Sequence, residues 1–122
     1  MNLKEIAADF LLLASSGRAA EAFRKYVGKG FIHHNPYFKG DAESLRAAMD
    51  ENAKVNPSKL FQIQRVIQEG DFVVVHSRVH MTSAPNGLAV VHIFRFAANM
   101  IAELWDIGQS VPDSSQNQYG MF

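Results

Sequence analysis

The chain has 122 residues, 48% of them apolar, and this length and composition predict a single folded domain spanning residues 1–122. Its 12 basic and 12 acidic residues balance, and without a cluster of Lys and Arg the sequence argues against nucleic-acid binding. The absence of cysteine excludes disulfide scaffolds, thiol nucleophiles and cysteine-based zinc sites.

The first two predicted helices lie at the N-terminus. Apolar residues recur at helical spacing over residues 3–14, and Asn2 and Glu5 have the spacing of a capping box. This stretch is too short and too charged to span a membrane, and it lacks a basic start and a cleavage site. We therefore expect a cytoplasmic protein that does not bind membranes. A second helix is predicted over about 18–27, with Gly28 as its stop.

The middle of the chain changes from helical to strand periodicity. Residues 31–36 read as extended chain, and a third helix is predicted from the N-cap residue Asp41 to Pro57. Beyond it the apolar period becomes two, which is typical of strands. Helices followed by an antiparallel meander predict an α+β fold. The predicted strands cover residues 59–68, 72–82, 88–97 and 100–109.

The third predicted strand is apolar on both faces over residues 90–96. A half-exposed strand would alternate apolar and polar residues, so both of its faces must be covered. One face is expected to meet the helices or a cavity. For the other face a second copy of the chain is the simplest cover, which predicts a homodimer.

Ionisable residues interrupt these apolar strands. His76 and His80 share one face of the second strand, because strand side chains alternate. His92 lies in the most apolar strand, and Asp106 follows Trp105 in the fourth strand. Burial of such groups is costly unless they pair or face a hydrated cavity, so these residues are the first candidates for a site.

The strand register decides which of these groups meet. If the loop at residues 83–87 closes symmetrically, His92 faces Arg78, and His76 faces Phe94. This step is sensitive to error, because a slip of one residue turns every side chain to the opposite face.

The last turn leaves two registers open. A turn of three residues predicts that His92 faces Asp106, whereas a turn of two residues places Trp105 opposite His92. In the first register a carboxylate could fix the tautomer of the histidine, and the pair could transfer protons without a cofactor. The alternative interpretation is a structural pair with no catalytic role.

Metal binding is not expected from the histidine spacing. His76 and His80 are separated by four residues on a strand, or about 13 Å at ~3.3 Å per residue, and cannot chelate one ion. His33 and His34 point to opposite faces in an extended chain. We predict no metal and no cofactor, and we expect His33 and His80 to be solvated or rim residues rather than ligands.

Four segments of the chain, taken together, match the order of segments in one known family. Residues 31–36, Phe-Ile-His-His-Asn-Pro, resemble the Tyr-Ile-Gln-His-Asn-Pro segment of SnoaL-like proteins, the family that includes polyketide cyclases. Three later segments follow the same order as in that family. They are residues 70–76, 93–96 and 101–106.

The resemblance implies a cone-shaped α+β barrel of the NTF2-like superfamily, with N-terminal helices packed on a curved antiparallel sheet, and commonly a homodimer. It implies that Asp106 is the general acid and base of an aldol-type cyclisation. It also places His34 in the pocket, and it matches His76 to a strand histidine of the family. If the protein is an enzyme, we expect His34 and His76 to polarise the carbonyl and His92 to tune Asp106. The candidates for contacting the ligand are Asn35, Tyr37, Phe94 and Trp105.

One departure from the family keeps two functions open. Many SnoaL-like relatives carry Asp where this chain has His92, and this change alters the charge of the pocket. The first hypothesis is a cofactor-independent lyase or isomerase acting on a small apolar carbonyl compound. The second is a non-catalytic domain that binds a small ligand or acts through its dimer face, because one fold serves many functions.

Overall fold

The computed structural model describes all of residues 1–122. In chain order its elements are α1 (Leu3–Ser15), α2 (Ala19–Tyr26), β1 (Val27–His33), α3 (Ala42–Val55), β2 (Leu60–Glu69), β3 (Phe72–Met81), β4 (Ala84–Ala97) and β5 (Met100–Ser110). The strands form one sheet with the order β1-β5-β4-β3-β2. The predicted α+β class is confirmed, as are the three helices and the antiparallel pairing of β2 to β5.

Local side-chain chemistry sets two of the helix starts, as predicted. The Asn2 side chain accepts a hydrogen bond from the Glu5 backbone at 2.8 Å, and the Glu5 carboxylate accepts one from the Asn2 backbone at 3.1 Å. At α3 the Asp41 carboxylate accepts a hydrogen bond from the Ser44 backbone at 3.2 Å. Each bond satisfies an amide that the first helical turn leaves without a partner.

The first strand was not predicted at its full length, and it makes the sheet mixed rather than purely antiparallel. β1 begins at Val27, directly after α2, and runs parallel to β5. Its register shifts between Val27 and Ile32, in a stretch that contains Gly30 at a φ of +78°. Of the extended chain expected at 31–36, residues 31–33 form the end of this edge strand, which β5 supports through tertiary pairing, and the chain turns at Pro36.

The predicted register between the second and third predicted strands, which are β3 and β4 of the structure, is wrong. Val75, not Arg78, lies opposite His92, and His76 lies opposite Val91. The reason is that the connection is shorter than the expected loop, since Met81 already pairs with Ala84. Residues 85–87, Pro-Asn-Gly, bulge out within β4 instead of joining two strands.

The last hairpin has a two-residue turn and the register expected of a three-residue turn. Ala98 and Asn99 both have positive φ, 51° and 62°, as in a tight hairpin turn. Phe96 pairs with Ile101, whereas Arg95 pairs with Glu103, which makes residue 102 of β5 an extra, bulged residue. The bulge shifts the later pairing by one residue, and it puts Asp106 opposite His92.

The helices cover one face of the sheet, which we call the inner face; the other is the outer face. The core lies between α1, α2 and the inner face, where Phe10 packs edge-on against Phe94 with ring centroids 5.8 Å apart. Inner-face side chains such as Val75 and Leu104 are almost completely buried. This packing leaves a gap near the C-terminal ends of α1 and α3, and the candidate site lies there.

Candidate functional site

A cavity of about 270 Å³ lies between α1, α3 and the inner face of the sheet. Eleven of its 17 lining residues are apolar, so the few polar groups on the wall are the ones that can orient a ligand. The polar and ionisable lining residues are Ser15, Asn35, Asn52, Lys59, His92 and Asp106.

His92 and Asp106 face each other across the β4–β5 ladder and both line the cavity. The bulge at residue 102 is the cause, because without it Trp105 would occupy the position opposite His92. The observed pairing is the one predicted for a turn of three residues, although the turn itself has two residues.

Asn35 holds the Asp106 carboxylate from the end of β1. Its side-chain amide donates a hydrogen bond to Asp106 Oδ2 at 3.0 Å, and its oxygen accepts one from the Tyr37 backbone at 3.0 Å. Pro36 keeps this segment extended, which favours the turn that aims Asn35 inward. The amide therefore leaves the other oxygen of Asp106 free to face the cavity.

His33 supports this turn, and its expected position as a solvated or rim residue is wrong. The side chain is only 6% exposed. Its Nε2 donates to the Lys39 carbonyl oxygen at 2.6 Å, and its Nδ1 accepts from the Asn35 backbone at 3.1 Å. His33 thus fixes the loop that carries Asn35.

Burial makes His92 a neutral group. The side chain is 6% exposed, and desolvation lowers the pKa of His92 from 6.5 to about 4, against the opposing attraction of Asp106. Its ring lies near Phe61 and Phe94, with centroids 6.1 and 6.3 Å away. Its Nδ1 is buried and has no hydrogen-bond partner in the protein. A neutral imidazole of this kind carries one N–H donor and one acceptor.

The structure separates His34 from Asp106, contrary to the prediction that they share a pocket. The His34 ring stacks on Trp105 with centroids 4.8 Å apart, and its Nε2 lies 2.6 Å from the Glu103 carboxylate. Hydrogen bonds from His34 and Arg95 lower the pKa of Glu103. Side chains alternate along β5, so Trp105 points away from Asp106 and draws His34 to the outer face.

The remaining predicted residues also lie outside the cavity wall. His76 is on the outer face of β3, where it contacts the Arg65 side chain and stacks on Phe122 with centroids 5.8 Å apart. Tyr37 is 85% exposed, and Phe94 is fully buried in the core. Of the eight residues predicted for the site, the cavity brings together Asn35, His92 and Asp106.

The structure contains neither a metal-binding cluster of side chains nor a membrane-spanning helix. No group of three or more His, Asp or Glu side chains lies close enough together to hold a metal ion. No helix is long and apolar enough to cross a membrane.

The sequence matches a family model over most of its length. The model describes a SnoaL-like domain, and it aligns with residues 8–104. This chain belongs to the SnoaL-like domain family. The resemblance seen in residues 31–36 and in the later strands is thereby confirmed. No protein of curated function has a sequence significantly similar to this SnoaL-like chain.

Solved structures similar to this SnoaL-like protein share its fold at low sequence identity. The candidate polyketide cyclase IdmH from Streptomyces antibioticus superposes with a TM-score of 0.75 at 15% identity, covering 89% of this chain and 93% of IdmH. A candidate polyketide cyclase from Acidithiobacillus ferrooxidans gives 0.72 at 19%, covering 88% and 87%. An NTF2-like protein of unknown function from Cytophaga hutchinsonii gives 0.71 at 13%, covering 89% and 91%. At these identities the similarity establishes the NTF2-like fold alone.

Sequence reasoning missed two residues that shape the site of this SnoaL-like protein. His33 lies next to the residue that holds Asp106, and its burial depends on the loop that folds over it. Lys59 lines the cavity, although its position before a strand suggests only a surface lysine. One feature of the sequence could have identified Lys59. It is the first residue of the predicted strand that follows the third helix, and this junction borders the cavity in the structure.

Proposed function

We propose that this protein binds a small apolar carbonyl compound in the cavity and that Asp106 acts on it as a general acid and base, without a cofactor. One observation carries the proposal: the carboxylate of Asp106 is held by Asn35 and faces a neutral His92 in a mostly apolar cavity. Proton transfer needs a base within reach of a substrate C–H group and a donor near the carbonyl oxygen.

The proposed step is enolisation. The Asp106 carboxylate takes a proton from the carbon next to the carbonyl, and the electron pair of the broken C–H bond forms the carbon–carbon double bond of an enolate. The negative charge moves to the carbonyl oxygen, where a ring N–H of His92 donates a hydrogen bond. The enolate carbon then attacks a second carbonyl of the same molecule, and the oxygen of that carbonyl takes the proton from Asp106, which gives a cyclic alcohol and restores the carboxylate. Alternatively, Asp106 returns the proton to the opposite face of the enolate or to a different atom of it, which gives an isomer.

The neutral state of His92 suits this role. Burial keeps the imidazole of His92 uncharged near pH 7. Its N–H can therefore donate to an enolate, and no ion pair with His92 keeps the Asp106 carboxylate from reaching the substrate proton. Preorganised donors in a site with little water stabilise a developing oxyanion better than water does. Asn35 then restricts the Asp106 carboxylate to one orientation.

The cavity volume limits the ligand. A volume of about 270 Å³ is slightly below the roughly 300–1,000 Å³ typical of pockets for drug-sized compounds. We therefore infer a compound with one or two rings, or an open chain of similar size. The proteins described as polyketide cyclases that share this fold suggest a polyketide-like carbonyl compound.

The decisive experiment is deuterium exchange. Cyclohexanone, acetophenone and 2-acetylnaphthalene are incubated with the protein in D₂O, and exchange next to the carbonyl is followed by NMR. We expect at least one ketone to exchange faster than in buffer or with heat-unfolded protein, and to raise the melting temperature of the protein. Exchange at the buffer rate with all three ketones would contradict the catalytic role.

The alternative function is a non-catalytic domain that binds a small ligand. The observation in its favour is that the His92 ring lies among the aromatic rings of Phe61 and Phe94, as a structural histidine would. In that case a ketone raises the melting temperature but does not exchange, and a ligand that copurifies with the protein is recovered unchanged.

We also propose that the protein is a homodimer formed through the outer face of the sheet. Val91 and Ile93 of β4 lie on this face, with Trp105 and Ile107 of β5, and Ile107 is 60% exposed. An apolar sheet face of this kind is typical of an interface. Light scattering at micromolar concentration is expected to give twice the mass of one chain.

The variant Ile107→Glu tests the location of the interface. A buried, unpaired carboxylate is costly, so we expect this variant to be monomeric. Val55→Glu is the matched control, because Val55 is also 60% exposed but lies at the end of α3, away from the sheet. A wild-type monomer would contradict the dimer, and a dimeric Ile107→Glu variant would contradict its location.

A further inference from the structure

Lys59 is the cation of the cavity wall. It follows the turn after α3, where its backbone N–H donates to the Asn56 carbonyl at 3.0 Å, and β2 begins at the next residue. Its half-buried side chain borders both the apolar cavity and an adjoining polar pocket between the ends of α1 and α3. Lys59 is the only Lys or Arg that lines the cavity.

Lys59 has no ion-pair partner in the protein. No carboxylate oxygen lies within 4.0 Å of its ammonium group. All ion pairs of the protein join other residues. Asp50, the carboxylate of the adjoining pocket, is bound to Arg46 at 2.5 Å. Burial lowers the pKa of Lys59, which reflects the cost of keeping an unpaired ammonium partly out of water. An anion bound beside it would offset that cost.

Lys59 and Asp106 lie far apart along the strands. Leu60, next to Lys59, pairs with His80, whereas His92, opposite Asp106, pairs with Val75. These two levels differ by five residues on β3, or about 16 Å along the strands at ~3.3 Å per residue, and β4 and β3 lie between β5 and β2 in the sheet. A ligand that fills the cavity can therefore present one group to Lys59 and another to Asp106.

A carboxylate is the anion that fits best. One ammonium group balances one negative charge, and the wall contains no Arg or second Lys that a doubly charged phosphate would call for. Asn52 lines the same cavity, and its side-chain amide can donate a hydrogen bond to a carboxylate oxygen. The apolar residues between the two ends match a hydrocarbon spacer.

We propose that Lys59 is an anion-binding residue that selects small keto acids, with the carboxylate at the Lys59 end of the cavity and the reactive carbonyl at the Asp106 end. This inference rests on the ligand-binding part of the proposed function. It adds the chemical class of the ligand and the residue that recognises it.

The test compares two pairs of ligands that differ only in charge. These are 4-acetylbenzoate with 4-acetylbenzamide, and 6-acetyl-2-naphthoate with its amide, measured by titration calorimetry at pH 7. For at least one pair we expect the wild type to bind the carboxylate about tenfold more tightly than the amide, which corresponds to about 1.4 kcal/mol. In Lys59→Met this preference is expected to disappear while the affinity for the amide stays within about twofold.

Two control variants show whether the charge of Lys59 is the cause. Lys59→Arg keeps a cation and is expected to keep a preference for the carboxylate. Lys29→Met removes a lysine that is exposed on β1, and it is expected to leave both affinities unchanged. Equal affinities in the wild type, no binding of any of the four compounds, or a preference that survives in Lys59→Met would each overturn the proposal.

The acid–base proposal for Asp106 and the anion-binding proposal for Lys59 can be contradicted independently of each other. Deuterium exchange with uncharged ketones reports on Asp106 and does not need Lys59. Exchange without a preference for carboxylates would overturn the role of Lys59 and leave the acid–base proposal standing. A preference without exchange would support Lys59 as the recognition residue of a binding protein.

Discussion

Replacement of Asp106 by asparagine is expected to slow deuterium exchange of a bound ketone by about 10²–10⁴-fold, the usual contribution of a positioned general base. Asparagine has nearly the same shape and can still accept the hydrogen bond from Asn35, but it cannot remove a proton from carbon. Ligand affinity is therefore expected to change much less than the rate. The measurements are the exchange rate at saturating ketone and the dissociation constant of the same ketone.

The matched control for this variant is Asp71→Asn. Asp71 is exposed in the turn between β2 and β3, a position that asparagine tolerates well. We expect its exchange rate and melting temperature to equal those of the wild type. If Asp106→Asn retained the wild-type exchange rate with an intact fold, Asp106 could not be the base. The carboxylate would then belong to a structural pair with His92.

The free energy of unfolding is expected to fall in acid because His92 is buried in its neutral form. Its pKa is about 4 in the folded protein and 6.5 in the unfolded chain. Below pH 6.5 the unfolded state therefore binds a proton that the folded state excludes, and the folded state loses relative stability. At ~1.36 kcal/mol per pKa unit this contribution reaches about 2 kcal/mol at pH 5 and about 3 kcal/mol near pH 4.

Urea unfolding of the wild type and of His92→Phe isolates this contribution. Phenylalanine fits the aromatic surroundings of His92 and does not titrate, so the carboxylates common to both proteins cancel in the difference. We expect the two stabilities to differ by a constant amount above pH 7.5, and the difference to shift towards the variant by about 2 kcal/mol at pH 5. Stability curves that stay parallel from pH 8 to pH 5 would contradict the buried neutral state of His92. Both proteins must be compared at one chain concentration, since the proposed dimer would also contribute to stability.

The His92–Asp106 pairing shows where prediction from the sequence stops. The sequence indicates that both residues lie on apolar strands joined by a short turn. A turn of two residues and a turn of three residues are both compatible with it, and they put different side chains opposite His92. The structure combines a two-residue turn with a bulge at residue 102. Packing along both strands selects that bulge, because it turns Leu104 and Asp106 inward and Trp105 outward.

The positions of the His34 and Asn35 side chains are a second feature that the sequence alone does not decide. The prediction placed both residues in the site, but adjacent residues in extended chain point to opposite faces, so only one of the two can reach Asp106. Which one does so depends on where β1 pairs. The parallel contact of β1 with β5 directs Asn35 to Asp106 and lets His34 stack on Trp105. A contact between segments about 70 residues apart leaves no periodic signal in either segment.

The sequence by itself determined the features that depend on neighbouring residues. Capping by Asn2 and Asp41, the change of apolar period near residue 59 and the order of the three helices before the β2–β5 meander are local, and each was predictable. The tertiary structure alone decided the parallel edge strand, the bulges that set the register, and the cavity that joins Asn35, Lys59, His92 and Asp106. These features arise when distant segments pack, and a strand register that shifts by one residue exchanges the two faces of the sheet.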